Sequence, residues 1–224
     1  MMITVWGRRN SMNVQKVMWA LGELDLAYQR HDVGGSFGAT DSETYRAMNP
    51  NGLVPTIEDG DLVLWESNAV VRYLARTYGR DRLWPAGSKD QALADQWMDW
   101  GISSFGPPFF NVFFNLIRLP PEKRDARLVS SGIKSSARLL GLLDNHLQGR
   151  AFICGDRLSA GDIPLGVMAY RYFNLEIDRP AAPNVEAWFQ RLQARPAYQK
   201  HVMIPFGRDH LEWQALEEAS AGIQ

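Results

Sequence analysis

The stretch Asn51–Ala75 contains residue types that together suit the binding of a small zwitterionic peptide. Because Pro55 cannot donate a hydrogen bond to a sheet, we expect it at a sheet edge or a strand start, which leaves the backbone groups of Val54 available to a ligand. Glu66 supplies an anion for an ammonium group. Ser67 supplies a hydroxyl at the start of a predicted helix, where unpaired N–H groups suit a carboxylate. The plainer alternative is an edge hairpin followed by a helix that Ser67 caps.

A hairpin and a helix are predicted to position these residues. Asp59-Gly60 is typical of a hairpin turn, and it separates two short apolar runs, Val54–Ile57 and Leu62–Trp65. A helix is predicted from about Ser67 to Tyr78. The hairpin therefore leads directly into the helix whose N-terminus faces the ligand.

A strand–helix–strand unit precedes this hairpin. Residues 2–6 and 27–33 are predicted strands, and Asn13–Leu24 has the apolar spacing of a helix. Two strands joined through a helix form a parallel pair. A Gly-rich connection, Gly34–Asn51, follows, with one helical turn predicted near Glu43–Met48. Residues 1–80 therefore predict a small thioredoxin-like α/β domain.

The remainder of the chain is predicted to be all-helical. Residues 81–90 carry charges and the sequence Leu83-Trp84-Pro85, which is typical of a linker, and residues 91–224 form the second domain. The predicted helices, with prolines near their ends, are Lys89–Phe105 with an aromatic continuation to Leu119, Glu122–Leu147, Ser159–Tyr172 and Val185–Arg195. The polar tail Phe206–Gln224 predicts partial disorder, with a short helix over Leu211–Ala219 as the alternative.

The segment Ser159–Asp162 precedes an apolar helix and has the pattern of a capping box. In such a box the serine hydroxyl accepts one free helix N–H, and the acidic side chain reaches back to another. We therefore assign Asp162 a role in folding rather than in catalysis.

Composition and charge narrow the classes of function. The 224 residues carry a net charge of −1, which argues against broad binding of nucleic acid or of anionic membranes. The single cysteine, Cys154, excludes an internal disulfide and a cysteine-based zinc cluster, and the 4 histidines show no metal-ligand spacing. We therefore predict no metal, no nucleic-acid partner, no membrane span and a reducing, cytoplasmic location.

Taken in order, the NGLVPT sequence at Asn51–Thr56, the hairpin and the ESNA sequence at Glu66–Ala69 resemble the glutathione-binding region of the glutathione S-transferase family. The Ser159–Asp162 box resembles the one in that family's helical domain, so the resemblance covers both halves of the chain. It implies that glutathione is a substrate and that the enzyme is a homodimer. The implied glutathione contacts are Val54 with the cysteinyl backbone, the cis-proline Pro55 beside it, and Glu66 and Ser67 with the γ-glutamyl end.

The same resemblance places the thiol-activating residue in the loop Gly7–Asn13. This loop has no tyrosine and no cysteine, and it is similar to that of the serine-type theta and bacterial nu classes, with Ser11 at the hydroxyl position. A free thiol has a pKa of about 8.5, so a hydrogen bond from Ser11 would stabilise the reactive thiolate. Asn10 and Asn13 remain alternative donors to the sulfur, and helix capping remains the alternative for Ser11.

The region expected to bind the glycyl carboxylate of glutathione departs from the family pattern. Theta-type enzymes place a basic residue late in the connection after the second strand, or just before the valine that precedes the proline. This chain has Thr40 and Leu53 in those regions. Arg46, a backbone group or a partner subunit is then expected to bind the carboxylate.

An aromatic cluster surrounds Gly106-Pro107-Pro108 in the predicted second domain. We assign Phe109, Phe110 and Phe113 to a hydrophobic electrophile site in a cleft between the domains, with core packing as the alternative. The predicted function is a transferase that adds the glutathione thiolate to small apolar electrophiles, with disulfide or peroxide reduction as a further activity. The alternatives are a non-catalytic binding or scaffold protein on the same fold, and a specialised glutathione-dependent dehalogenase, lyase or isomerase.

Overall fold

A computed structural model describes residues 2–224 of the chain. The amino-terminal part contains a four-stranded sheet in the order β2-β1-β3-β4. The strands are β1 (Ile3–Trp6), β2 (Tyr28–His31), β3 (Thr56–Asp59) and β4 (Leu62–Trp65). Strands β1 and β2 are parallel, as predicted, whereas β3 is antiparallel to both β1 and β4. The second strand is shorter than predicted because its pairing with β1 ends at His31.

Three helices accompany the sheet: α1 (Met12–Glu23), α2 (Glu43–Met48) and α3 (Ser67–Tyr78). Helix α1 connects β1 to β2, and it packs against α3. The apolar side chains between sheet and helices are fully buried; they include Val5, Ile57, Val14, Val17, Val70 and Leu74. The predicted thioredoxin-like domain is confirmed, with Pro55 immediately before β3.

The second part of the chain is helical, as predicted. Its helices are α4 (Ser88–Trp100), α5 (Gly106–Phe113), α6 (Ala126–Leu147), α7 (Asp162–Asn174), α8 (Pro183–Gln193), α9 (Pro196–His201) and α10 (His210–Ala219). The domain boundaries at residues 80 and 90 stay predictions, since the structure places only the end of α3 at Tyr78 and the start of α4 at Ser88.

Helices α4 and α5 form one continuous rod in which two turns are π-helical, Gly101–Phe105 and Phe114–Arg118. Pro107 and Pro108 have no N–H to donate to the carbonyls of the preceding turn. A wider turn before them avoids the need for the α-helical hydrogen bonds that these two residues cannot make. The helix therefore widens into a π-helical turn, Gly101–Phe105, directly before the Gly106-Pro107-Pro108 sequence. It sets the direction in which the aromatic side chains of α5 point.

Helix α7 lies at the centre of the helical part and also reaches the first domain. Trp19 of α1 packs so closely on Gly166 of α7 that a Cβ atom there would lie 2.7 Å from the indole ring. Tyr198 of α9 stacks edge-on against Trp19 and donates a 2.7 Å hydrogen bond to the Gly166 carbonyl. The two halves of the chain are thus joined by a tight apolar contact.

Asp162, the first residue of α7, has the folding role predicted for it. The side chain is fully buried, and it accepts bonds from the backbone N–H of Ile153 (2.9 Å) and Ser159 (2.8 Å) and from the indole N–H of Trp188 (2.9 Å). The predicted capping box is half right. The Ser159 hydroxyl donates to Asp162 at 2.9 Å rather than accepting a helix N–H.

The carboxyl-terminal tail has the alternative predicted for it, a short helix, which is α10 at His210–Ala219, rather than partial disorder. The polar groups of the tail have partners on the sheet domain. The Gln224 amide bonds to the backbone of Arg30 at 2.8 and 3.1 Å, and the Gly222 N–H donates to Asp32 at 2.8 Å. Helix α10 itself packs against the π-helical turn after α5 and against the short turn Gly35–Phe37. The single cysteine, Cys154, is half-buried.

Candidate active site

A cleft of about 490 Å³ lies between the β1–α1 loop, helix α5 with its following π-helical turn, and helix α10. This volume is within the range typical of small-molecule sites. Its wall includes every residue that the sequence assigned to the thiol end. The lining residues are Arg8, Asn10, Ser11, Met12, Asn13, Gly34, Gly35, Thr40, Gly52, Leu53, Val54, Phe110, Phe113, Phe114, Arg118, Arg171 and Trp213.

Ser11 is the residue that precedes helix α1, and it lines the cleft. Its extended backbone (φ −71°, ψ 124°) is that of a helix cap, yet within residues 2–224 its hydroxyl makes no capping hydrogen bond. The helix also begins without an acidic residue in its first turn. Ser11 and the positive end of the helix dipole therefore both lie at the wall of the cleft.

The two asparagines beside Ser11 have other partners. Asn13 Oδ1 accepts bonds from Lys16 (3.0 Å) and from the Ser67 hydroxyl (3.2 Å), so Asn13 connects the thiol loop to the N-terminus of α3. Asn10 is buried, and its backbone carbonyl accepts a bond from the Arg171 guanidinium. These bonds use the side-chain oxygen of Asn13 and the backbone carbonyl of Asn10, so both asparagines stay alternatives to Ser11 as donors to the sulfur.

Lys16 is a functional candidate that the sequence motifs did not identify. Its ammonium is buried on the inner face of α1, and it lies 3.0 Å from Asn13 Oδ1 and 3.4 Å from Ser67 Oγ. Burial lowers the pKa of Lys16 to about 8, although the nearby Glu66 carboxylate raises it. The signal was present in the sequence, because a lysine three residues after Asn13 lies on the same face of a helix.

Glu66 occupies an unusual backbone conformation directly before α3. Its φ of 68° lies in the left-handed region, which a residue with a Cβ atom adopts only at a cost of about 1–3 kcal/mol. The exposed Glu66 side chain and the buried Ser67 hydroxyl stand side by side at this N-terminus. Such outliers cluster at ligand sites.

The Val54–Pro55 peptide bond is cis, as the resemblance implied. Val54 lines the cleft, whereas the buried Pro55 lies behind it. The preceding carbonyl, that of Leu53, is held by the Tyr45 hydroxyl (2.7 Å) and the Asn49 amide (2.8 Å). These bonds fix the backbone on which Val54 is presented.

The region expected to bind the glycyl carboxylate has Arg8 as a basic neighbour, since a Cβ atom on Gly34 would lie 3.1 Å from Arg8 Nη1. Thr40, Gly52 and Leu53 line the cleft there. Arg46 is exposed, and its guanidinium contacts the Pro50 carbonyl at 3.4 Å without lining the cleft. The structure therefore adds no support for Arg46 as the residue that binds the glycyl carboxylate.

The assigned phenylalanines separate into two groups. Phe110 and Phe113 line the cleft, together with Phe114, which was not assigned. Phe109 is fully buried and does not line the cleft. It stacks on Phe105 and meets Tyr172 edge-on, so core packing accounts for its position.

The structure adds four cleft residues whose side chains come from distant parts of the chain. Arg171 of α7, Arg118 after α5 and Trp213 of α10 lie opposite Arg8 of the β1–α1 loop. Arg118 stacks over the Trp213 ring at 4.3 Å, and Arg8 Nε lies 3.0 Å from Glu217 Oε2 on α10. No periodicity or motif in the sequence brings these residues together.

Metal-binding and membrane-spanning features are both missing from the described part of the chain. Residues 2–224 contain no group of three or more histidine, cysteine, aspartate or glutamate side chains arranged to hold a metal ion. No helix in the same range is both long enough and apolar enough to cross a membrane.

Comparisons with known proteins agree with this geometry over both halves of the chain. The family model of the glutathione S-transferase N-terminal domain matches residues 1–76, and that of the C-terminal domain matches residues 93–196. Glutathione S-transferase GstB of Escherichia coli (strain K12) is 43% identical over 206 residues, which cover 91% of this chain and 99% of that protein. Glutathione S-transferase 3 of Zea mays is 31% identical, with 89% of this chain and 93% of that protein covered.

A solved structure is similar to this chain over a comparable share of its length. The theta class glutathione S-transferase from Xanthomonas axonopodis pv. citri, solved with glutathione bound, is 46% identical and superposes with a TM-score of 0.88, covering 92% of this chain and 99% of that one. Together with the sequence matches, this shows that the chain is an enzyme of the glutathione S-transferase family.

Proposed function

We propose that this enzyme binds glutathione along the cleft, stabilises its thiolate with the Ser11 hydroxyl and adds it to a small electrophile. The observation that carries the proposal is the position of Ser11, which lines the cleft at the N-terminus of α1 and makes no capping bond among residues 2–224. The helix dipole and one hydrogen bond both favour an anion there. The thiolate is then the nucleophile, and no general base is required.

The test is a titration of wild-type enzyme with glutathione, followed by the ultraviolet absorbance of the thiolate. We expect a thiolate signal near neutral pH, where free glutathione is almost entirely thiol. A panel of halogenated, epoxide, peroxide and disulfide substrates then separates conjugation from reduction. A bound glutathione that stays a thiol up to the pH of the free peptide would contradict the proposal.

The γ-glutamyl end of glutathione is proposed to lie at the junction of α1 and α3. Ser67 and the α3 N-terminus suit its carboxylate, and Glu66 suits its ammonium. Lys16 adds a buried positive charge 3.4 Å from Ser67 Oγ. We therefore assign Lys16 a role in binding this carboxylate.

Replacing Lys16 with methionine is expected to weaken glutathione binding by about tenfold below pH 7.5, since one charge-assisted contact contributes about 1.5–3 kcal/mol. Because the pKa of Lys16 is about 8, its charge and its contribution are lost as pH rises through that value. The difference between wild type and variant should therefore shrink toward pH 9.5. Calorimetric titration with S-methylglutathione, which has no thiol to ionise, measures this; a difference independent of pH would count against the role.

A homodimer is proposed from the family resemblance. We propose Arg72 and Tyr73 of α3 for its interface. Both already have partners within one chain: Arg72 binds Asp95 at 2.5 Å and the Tyr73 hydroxyl binds Asp59 at 2.8 Å. The ion pairs between α3 and α4 would then stiffen the surface that meets the second subunit. Sedimentation equilibrium distinguishes a dimer of twice 25.3 kDa from a monomer.

The removal of reactive electrophiles in the cytoplasm is the proposed cellular role. The single cysteine, which is half-buried, is compatible with a reducing compartment. Fractionation of cells that express the protein tests the location.

A further inference from the structure

The electrophile side of the cleft is strongly cationic. Arg8, Arg118 and Arg171 line it, and among the lining residues the structure describes there is no aspartate or glutamate. Just behind the lining, Glu217 pairs with Arg8 at 3.0 Å. Burial opposes the ionisation of Glu217, but bonds from the Ser36 N–H and the Asn10 amide, together with the charge of Arg8, lower its pKa. The carboxylate is therefore ionised and offsets one of the charges.

Arg171 has no such counter-charge. The side chain is 2% exposed, and its guanidinium bonds only to the Asn10 carbonyl and, at 3.3 Å, to the neutral Gln15 amide. Its buried Nε has no hydrogen-bond partner among residues 2–224. Burial, with Arg118 and Arg8 nearby, lowers the pKa of Arg171 to about 9. A buried charge without a counter-charge destabilises the folded state, and a bound anion would relieve this.

Arg118, at the edge of the cleft, resembles Arg171 in having no ion-pair partner among the described residues. Within the described residues no carboxylate oxygen lies within 4.0 Å of its guanidinium; it instead lies over the rings of Trp213 (4.3 Å) and Phe114 (5.4 Å). Burial, with Arg8 nearby, lowers the pKa of Arg118. Two guanidinium groups therefore face one space without a carboxylate between them.

Aromatic rings form the rest of this space. Phe110, Phe113, Phe114 and Trp213 line it, and Arg171 lies 4.8 Å from the centre of the Phe113 ring. An aromatic body would stack on the partly exposed rings of Phe110 and Phe114, in front of the buried Phe113. An acidic group on it would reach the guanidinium groups, which bind carboxylates through paired N–H donors.

We propose that the second substrate of this enzyme is an anionic electrophile, an aryl or similarly apolar body carrying a carboxylate, held by Arg118 and Arg171 against the aromatic wall. This inference rests on the proposed function and narrows its substrate class from neutral apolar electrophiles to acidic ones. The preference arises from two guanidinium groups that form no ion pair with a carboxylate among residues 2–224, although the more distant charge of Glu217 acts on Arg118.

A halogenated nitrobenzoate illustrates the reaction. The glutathione sulfur forms a C–S bond at the ring carbon that bears chloride, and the chloride leaves with the C–Cl electron pair. The thiol proton has already passed to solvent when the thiolate formed. The addition intermediate places a second negative charge on the nitro-substituted ring, which the same guanidinium groups stabilise.

The matched substrates are 4-chloro-3-nitrobenzoate and its neutral amide, 4-chloro-3-nitrobenzamide, each corrected for its uncatalysed rate with glutathione. We expect wild-type enzyme to prefer the carboxylate in kcat/KM by about tenfold or more, the effect of one charge-assisted contact. Arg118→Gln should lower this ratio toward one, and Arg118→Lys should keep most of it. Glu217→Gln, which removes the counter-charge of Arg8, should raise it.

The control is Arg208→Gln, which removes an exposed arginine whose partner is Glu212, outside the cleft. It should leave the ratio unchanged. Arg171 is not the residue of choice for the test, because its bond to the Asn10 carbonyl also supports the thiol loop.

A wild-type ratio near one, or a ratio that Arg118→Gln does not alter, overturns the inference. A raised KM for glutathione in Arg118→Gln with an unchanged ratio also overturns it, and assigns the arginine to glutathione itself. Binding of 3-nitrobenzoate against 3-nitrobenzamide, by calorimetry with S-methylglutathione present, tests the anionic site without turnover. If neither chloride is converted, the proposed function fails, whereas preferential binding of the benzoate still supports the anionic site.

Discussion

Replacement of Ser11 by alanine is expected to lower kcat/KM for glutathione at pH 6.5 by about 10- to 100-fold. A hydrogen bond to a charged acceptor contributes about 1.5–3 kcal/mol, and each pKa unit corresponds to about 1.4 kcal/mol. Without the hydroxyl, the bound thiol should therefore have a pKa about one to two units higher. Well below its pKa, the fraction of thiolate falls about tenfold for each unit of that rise.

The dependence of the rate on pH tests the direction of the predicted pKa shift. The wild-type rate rises with pH and levels off above the pKa of bound glutathione. In Ser11→Ala the same rise should occur one to two units higher, so the two rates converge at alkaline pH. Ser11→Thr, which keeps a hydroxyl at the same position, is the matched control and should retain most of the wild-type profile. An unshifted profile in the alanine variant would assign the thiol contact to a backbone N–H or to an asparagine.

Local patterns in the sequence predicted most of the fold and one end of the site. The hairpin around Asp59-Gly60 and the apolar spacing of α1 depend on residues close together in the chain, and both are present. The same is true of the proposed glutathione-binding residues, since Val54–Pro55 and Glu66-Ser67 lie on one hairpin and the helix after it. Such features can be predicted because secondary-structure propensity and hydrophobic spacing depend on residues that are close together in the chain.

The electrophile side could not be predicted in the same way. Arg8, Arg118, Arg171 and Trp213 come from four separate elements, and no spacing in the sequence relates them. Phenylalanines are common in cores, so an assignment made from the aromatic cluster alone included the buried Phe109. A net charge of −1 for the whole chain also conceals a local excess of positive charge. Charge within a cleft depends on which distant side chains the fold brings together.

The carboxyl-terminal tail shows that composition alone also fails to predict whether a segment is ordered. The residues of the tail Phe206–Gln224 include many polar side chains, which by composition predicts partial disorder. Their polar groups instead bond to Arg30 and Asp32 of the sheet domain, and Glu217 on α10 bonds to the Ser36 N–H at 2.8 Å. Helix α10 is thereby held over the cleft, where it contributes Trp213.

Helix α7 links folding to the active site. Its first residue, Asp162, collects donors from three separate segments, and nine residues later Arg171 bonds to the carbonyl of Asn10 in the thiol loop. The helix therefore has to be set at one position by its N-terminal bonds before its other end can support the loop. This places a large part of the stability of the fold on one buried carboxylate.

Replacement of Asp162 by alanine is accordingly expected to lower the free energy of unfolding by about 3–5 kcal/mol, because it leaves the N–H groups of Ile153, Ser159 and Trp188 buried without acceptors. For a chain of this length, that corresponds to a fall in thermal midpoint of roughly 10 °C. Asp162→Asn should be less damaging, since one oxygen still accepts, but its amide N–H₂ faces the donors of Ser159.

Asp125 provides the control for this last prediction. It caps α6 at the surface, accepting from the N–H groups of Arg127 (2.8 Å) and Leu128 (3.2 Å), and loss of such a cap is expected to destabilise by about 0.5–2 kcal/mol. Thermal and urea unfolding of both alanine variants, at one protein concentration, measure the difference. Equal losses in the two variants would mean that Asp162 acts as an ordinary helix cap. A larger loss at Asp162, with activity retained at low temperature, would establish it as the folding residue on which the position of α7 depends.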